Sequence, residues 1–301
     1  MQNLPFNKPG KFYRGNIHTH STLSDGRRSP EAVCQFYREN GYDFIALTDH
    51  FMEKFNYPIA DTRAFRTADF TTILGAELHT GIMSSGEPWH ILAVGLPLDF
   101  APPLKDETGP EIAARAMAAG AYVAVAHPAW YSLTEDEVIS LGDVHAIEII
   151  NGIAHDHSDK VDSVYMLDVM LQRGRRYFAC ATDDAHFHEK HDDLLLGWVM
   201  VKAESLDPDA LLGALKRGEY YSTEAPLIHD IQVVPGEHVK IRCSPVNHVF
   251  VTGKGSKASY LHGNGITEAV MPITHWNANY CRVTIRDAQG HRAWSNPIFF
   301  D

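Results

Sequence analysis

The stretch Gly15-Asn16-Ile17-His18-Thr19-His20-Ser21-Thr22-Leu23-Ser24-Asp25-Gly26 decides how the rest of the chain is read. A short run enters from Gly15, ends in two histidines one residue apart, and passes into a tight polar turn that carries an aspartate. Residues i and i+2 of a strand share a face. The imidazoles of His18 and His20 therefore point the same way and can grip one cation, with Asp25 close enough to add an oxygen. The same design, an apolar strand ending in a metal-ligating side chain, recurs as far as His186.

Working outward, Ser29-Pro30-Glu31 reads as a helix start, with serine as cap and proline at the first helical position, running to about Asn40 and stopping at Gly41. Strands are predicted at 43–48, 72–77, 90–96, 122–126, 145–150 and 177–182, with helices at 111–119 and 162–172 between them. Alternation of this kind predicts an α/β fold on a parallel sheet, open or closed into a barrel. The chemically notable residues fall at strand ends: His50 in Thr48-Asp49-His50, Glu77 in Gly75-Ala76-Glu77, His127 in Ala126-His127-Pro128, Asn151, and Asp184 with His186 in Asp183-Asp184-Ala185-His186. His90 departs from the pattern because it opens its strand. A barrel enzyme carries its active site at the carboxyl ends of its strands, so one distributed site is expected.

Each ligand type has a physical reason. A glutamate at the end of an apolar strand is costly to bury unless it is paired or bound to metal, and a carboxylate can bridge two cations. Glu77 is therefore the natural centre of a multinuclear site. Asp183 and Asp184 would repel each other without a cation. One is expected to bind metal and the other to cap a turn or orient a histidine. Asp49 can bond backbone amides of a turn, and His79, two residues past Glu77, shares its strand face.

Taken in order, HTH with the following DG, TDH, the strand-end glutamate, AHP and DDAH resemble the PHP (polymerase and histidinol phosphatase) family over roughly residues 15 to 225. Trp89-His90-Ile91-Leu92-Ala93-Val94-Gly95 is similar to a strand start of that family. The resemblance implies a distorted (β/α)7 TIM-like barrel with two or three divalent metal ions, manganese, iron or zinc. It places His18, His20, Glu77 and Asp184 on the first metal. Glu77 then bridges to a second held by His90 and His127, and Asp25, His50 and His186 hold the third. A mixed nitrogen and oxygen set without thiolate suits all three metals.

The chemistry implied is hydrolysis by metal-bound hydroxide, since a metal lowers the pKa of its water toward ~7. Glu77, His127 and Asp184 are the expected catalytic residues. No GxSxG nucleophile motif is present. A phosphomonoester or small nucleotide-type phosphodiester is the expected substrate, with Lys54, Arg63, Arg66, Asn151 and Arg175 as candidate substrate contacts. Cleavage of a carboxyl ester, carbamate or amide is the alternative. A non-catalytic metal-dependent binding module is the second alternative.

After about Pro226 the texture changes to short β-type runs separated by turn residues, which predicts a small antiparallel Ig-like β-sandwich. The expected domains are 1–225 and 226–301. The closing Ala293-Trp294-Ser295-Asn296-Pro297-Ile298 resembles the tail of two-domain family members, some related to carbamate hydrolases. The formal net charge of -12 argues against general nucleic-acid binding. The four cysteines form no CxxC pair and are expected to be reduced and structural. No apolar run approaches the ~18 residues of a membrane span and no signal peptide is visible at Met1–Phe6, so a cytoplasmic protein is expected. Among the eighteen histidines, His155, His157, His188 and His191 read as solvated loop residues.

Overall fold

The computed structural model describes residues 4–274 and 276–300. The readings that fall on Met1–Asn3, His275 and Asp301 lie outside the described residues. The strands, in chain order, are β1 (Lys11–Asn16), β2 (Phe44–Leu47), β3 (His50–Phe51), β4 (Thr71–Leu78), β5 (Ile91–Val94), β6 (Tyr122–Val125), β7 (Ala146–Asn151), β8 (Phe178–Thr182), β9 (Trp198–Ala203), β10 (Tyr220–Thr223), β11 (Ile228–Val234), β12 (His238–Thr252), β13 (Ala258–Pro272), β14 (Tyr280–Arg286), β15 (Arg292–Ser295) and β16 (Ile298–Phe299). The helices are α1 (Pro30–Glu39), α2 (Gly109–Ala118), α3 (Pro128–Tyr131), α4 (Glu135–Ser140), α5 (Ala154–His157), α6 (Val164–Gln172) and α7 (Pro208–Lys216).

The result is a mixed α/β fold on a large sheet, ordered β11-β12-β14-β15-β10-β9-β1-β2-β4-β5-β6-β7-β8. Local signals explain the helix ends. Ser29 accepts from the Ala32 amide to cap α1, and Thr108 and Glu111 form a reciprocal cap on α2. β1, β2 and β4 are mutually parallel, as are β6, β7 and β8.

The expectation of a wholly parallel sheet is corrected at β5, which runs antiparallel to both β4 and β6. The loop 79–90 that joins β4 to β5 holds no helix. Without a crossover helix the chain returns alongside β4 in the opposite sense. The reversal accounts for His90: the amino end of β5 lies at the same edge of the sheet as the carboxyl ends of its neighbours. β1 also ends at Asn16 rather than His20, and β9 and β10 join antiparallel on its other side.

The strands are buried on both faces, as their unbroken apolar runs require. In β5, Ile91 and Ala93 enter a core shared with α2, α4 and α6, whereas Leu92 and Val94 enter a second core with Phe44, Tyr122, Cys180 and Tyr220. Past β8 the chain bonds to the extension of β1: the Asp184 amide donates to the His18 carbonyl and the His20 amide to the Ala185 carbonyl. The outward amides of β8 are satisfied by side chains. Ala179 donates to Asn296 Oδ1, Ala181 to Ser222 Oγ and, just beyond, Asp183 to Asn16 Oδ1.

Strands β11 to β16 are antiparallel and pack a third core around Val239, Ile241, Val249, Val283 and Ile285. Residues 238–252 form one long strand, β12. It keeps β13 on one side while its other side changes from β11 to β14. β15 pairs with β10, so hydrogen bonding is continuous across Pro226. Arg282 forks onto Asp168 of α6 at 2.7 and 2.8 Å, tying β14 to the larger part of the chain. Cys34, Cys180, Cys243 and Cys281 are free and buried. Among the described residues no helix is long and apolar enough to cross a membrane.

Candidate metal centre

All nine candidate ligands converge at one edge of the sheet. Glu77, fully buried at the end of β4, lies among imidazoles: His50 Nδ1 at 2.6 Å, His90 Nδ1 at 2.8 Å, His127 Nε2 at 3.1 Å, and the Nε2 atoms of His18 and His20 at 3.7 Å. Asp184 Oδ1 is 2.8 Å from His20 Nε2 and 3.2 Å from His18 Nε2. Asp25 Oδ1 is 3.4 Å from the Nε2 atoms of both His50 and His186. The ligand atoms form overlapping groups, each within 4.8 Å, among them His18, His20 and Glu77; Glu77, His90 and His127; His50, Glu77 and His79; and His20, Asp25, His50 and His186. A further group, His18, His127 and Asp184, joins the first two.

Local structure aims these side chains. His127 and Asp184 both adopt positive φ, 27° and 53°. A non-glycine residue held there costs ~1–3 kcal/mol, and such strain collects where a side chain must point in one direction. Gly26 closes the turn after Asp25. A Cβ there would lie 2.7 Å from the His20 backbone, so only glycine lets the loop fold back against the histidine strand. Asp49 accepts from the Ser21 amide and from the Ser21 and Ser24 hydroxyls, fixing the same loop. Asp183 turns away from the cluster and accepts from Tyr37 Oη and from the amides of Leu195, Leu196 and Gly197.

A second layer holds the imidazoles. Glu148, wholly buried in β7, pairs with His18 Nδ1 at 2.8 Å and accepts from the His127 amide, Thr182 Oγ1 and Asn151 Nδ2. His186 Nδ1 lies 2.8 Å from the Asp184 carbonyl, which leaves Nε2 facing Asp25. Asn151 Nδ2 also reaches Asp184 Oδ2 at 3.0 Å. Sequence reasoning missed Glu148, although a carboxylate in Ala146-Ile147-Glu148-Ile149-Ile150 carries the same warning as Glu77. His79 joins the cluster too, 2.8 Å from His50 and 3.5 Å from Glu77, as its shared strand face allowed.

The charges are strongly coupled. Burial disfavours a charged His50, but Glu77 and Asp25 outweigh it and push its pKa up to about 10. Burial likewise opposes His18, and Asp184 and Glu148 overcome it, raising it well above its usual value. Burial, with His186 and His50 nearby, holds His20 well below, and burial carries His90 down to about 3. Burial would raise the carboxyls of Glu77 and Asp184, but the surrounding imidazoles hold both well below the carboxylate range.

Several buried ligand atoms have no hydrogen-bond partner: Nε2 of His18 and His20, Oε2 of Glu77, and Oδ1 of Asp25 and Asp184. A buried polar atom without a partner is expensive. A set of lone pairs facing one another is what a divalent cation would satisfy, so the residues fit the metal that the sequence implies. Beside them opens a cavity of about 220 Å³, whose wall includes Trp130, Tyr131, Ile153, His157 and His188.

Three of the four candidate substrate cations are engaged elsewhere. Arg63 forks onto Asp61, and Arg66 donates to the Thr72 carbonyl at the start of β4, five residues or roughly 16 Å along the strand from Glu77. Arg175 pairs with Asp143 at 3.5 Å near the amino end of β8, away from the ligand edge. Lys54 lies over the Phe55 ring, which stacks at 6.3 Å on His50. Unforeseen at this edge is Arg27, whose Nε donates to His188 Nδ1 at 3.1 Å.

A two-domain protein from Bacteroides vulgatus, described as containing a predicted PHP-like metal-dependent phosphoesterase, matches 99% of this chain and 99% of its own, with TM-score 0.51 and 15% identity. The two chains share a fold. Two further structures match less of the chain. One is a candidate metal-dependent phosphoesterase from Bifidobacterium adolescentis, with TM-score 0.45, 14% identity and coverage of 68% of this chain and 96% of that one. The other is an amidohydrolase from Chromobacterium violaceum with bound sulfate, with TM-score 0.45, 15% identity and coverage of 57% and 87%. No protein-family model and no curated protein matches the sequence.

Proposed function

We propose that the chain is a metal-dependent phosphoesterase acting on a phosphomonoester or a small nucleotide-type phosphodiester. The observation that carries this reading is the set of partnerless buried ligand atoms on His18, His20, Asp25, Glu77 and Asp184, all at one edge of the sheet. His18, His20, Glu77 and Asp184 would hold one metal, Glu77, His90 and His127 a second, and Asp25, His50 and His186 a third. Bound there, manganese, iron or zinc supplies Lewis acidity and acidifies a water for attack.

The chain's own residues do the positioning. Glu148 and the Asp184 carbonyl orient His18 and His186. Asn151 steadies Asp184, while Trp130 and Tyr131 wall the cavity against solvent. Arg27, held by His188, is a cation at the rim able to meet a substrate oxyanion. Glu77, His127 and Asp184 are the residues proposed to act closest to the reacting atoms. The hydrogen bonds from 184–185 back to 18–20 support closure of the sheet into a distorted (β/α)7 barrel, and the antiparallel strands β11 to β16 support a sandwich-like second domain after residue 225. Four buried free cysteines are consistent with a cytoplasmic location.

One observation favours carboxyl ester or amide cleavage instead: Arg63, Arg66 and Arg175 are engaged away from the cavity, leaving little fixed positive charge for a phosphate. A panel of p-nitrophenyl phosphate, bis(p-nitrophenyl) phosphate and p-nitrophenyl acetate, run on metal-loaded protein, separates the two. p-Nitrophenol release from one of the phosphate esters, lost with chelator and in Asp184→Asn, is the expected result. Turnover of the acetate alone would replace the proposal with the ester reading.

A further inference from the structure

Beyond the nine ligands, two more histidines meet at the mouth of the cavity. His157 closes α5 and His191 lies in the loop after His186, yet their Nε2 atoms are 3.2 Å apart. Two nitrogens bound to one metal at 2.0–2.1 Å with a tetrahedral angle are separated by about 3.3 Å. The observed spacing is that of a histidine–histidine hydrogen bond, and it also matches the separation of two imidazoles sharing a cation. The arrangement is braced on both sides. Asp156 Oδ2 accepts from the Asp192 amide at 2.6 Å, clamping the two segments, and the Trp130 ring meets His157 edge-on at 5.4 Å. His157 is exposed, and it lines the same cavity as Asp25, Asp184 and His186. Ring centroids step inward from His157 to His191 at 4.3 Å, to His188 at 5.6 Å and to His186 at 6.1 Å.

We propose that His157 and His191 form an outer site for a divalent cation that favours imidazole, of the zinc, cobalt or nickel class, from which the buried centre is loaded. Water or a substrate oxygen completes the coordination. The site is separate from the inner ligands, and the cation's charge would add to that of Arg27.

The test is a Co²⁺ titration of the chelator-stripped full chain, followed by absorption and by equilibrium dialysis, in the wild type, His157→Ala, His191→Ala and Asp184→Asn. Circular dichroism confirms that each variant is folded. The wild type is expected to bind one weak equivalent beyond its tight ones. The two surface variants lose that equivalent, keep the tight ones and refill them more slowly, while Asp184→Asn loses tight binding and keeps the weak equivalent. Equal stoichiometry in His157→Ala, His191→Ala and the wild type would overturn the site and leave a simple histidine–histidine hydrogen bond. Loss of the weak equivalent with unchanged refilling would overturn the loading role. Absence of tight equivalents in the wild type, with the weak one still lost in His157→Ala, would sink the inner centre and leave this site standing.

Discussion

At the scale of the residue, the centre is organised by carboxylates that each serve several imidazoles. Glu148 acts one layer out: it touches no proposed metal directly yet fixes the His18 imidazole and the His127 backbone together. Glu148→Gln should fold and weaken metal affinity by ~10–100-fold, as loss of a residue that orients a ligand usually does; competition with a fluorescent chelator measures it. The protons follow a definite sign. His50 is raised to about 10 from 6.5, so its contribution to the metal-free fold is complete below about 6.5 and is lost as pH rises through about 10. His18 and His186 are raised in the same sense. The melting temperature of stripped protein should therefore fall across that window, and a cation binding near pH 7 must displace protons. Calorimetry in buffers of different ionisation enthalpy should report net proton release. The nine candidate ligands were legible because each sits in a short motif beside a strand terminus or in the turn that follows one. Glu148 was not, because a single acid inside an apolar strand has no motif, only a burial penalty.

At the scale of the element, the direction of β5 decides whether His90 reaches the site. Sequence alternation placed α1, α2 and α6 and the strands β2 and β4 to β8 near their observed ranges, but missed β9, β10, α4 and α7 and gave no sign of the reversal, because strand direction depends on what the connection packs against rather than on local pattern. The tail was legible as a resemblance and not as a mechanism. Asn296 accepts from the Ala179 amide and donates to the carbonyls of Gly218 and Tyr220, plugging the outer edge of β8. Asn296→Ala should cost about 2 kcal/mol by stranding those buried groups, read as a lower denaturant midpoint with an unchanged slope.

At the scale of the whole molecule, hydrogen bonding runs unbroken across the change of texture near Pro226. We propose that 226–301 is a domain by composition that completes the larger one. β10 pairs with β15, and Tyr221 and Leu4 lie in the same core as Val249 and Ile285. A chain cut after residue 225 should then be poorly soluble and rapidly proteolysed, whereas a protease-resistant, metal-binding fragment would show the two parts to be independent. The break was visible because turn residues and β-type runs are local. The continuity was not, because a pairing between residues 221 and 295 leaves no local trace.

Distant histidines and acids are proposed to share divalent cations through Glu77. Elemental analysis of stripped protein reloaded with Mn²⁺, alongside Glu77→Gln, tests it most directly. The account predicts at least two equivalents bound in the wild type and fewer in the variant, because Glu77 serves more than one cation. Equal metal content in the two, or none in either, would contradict it.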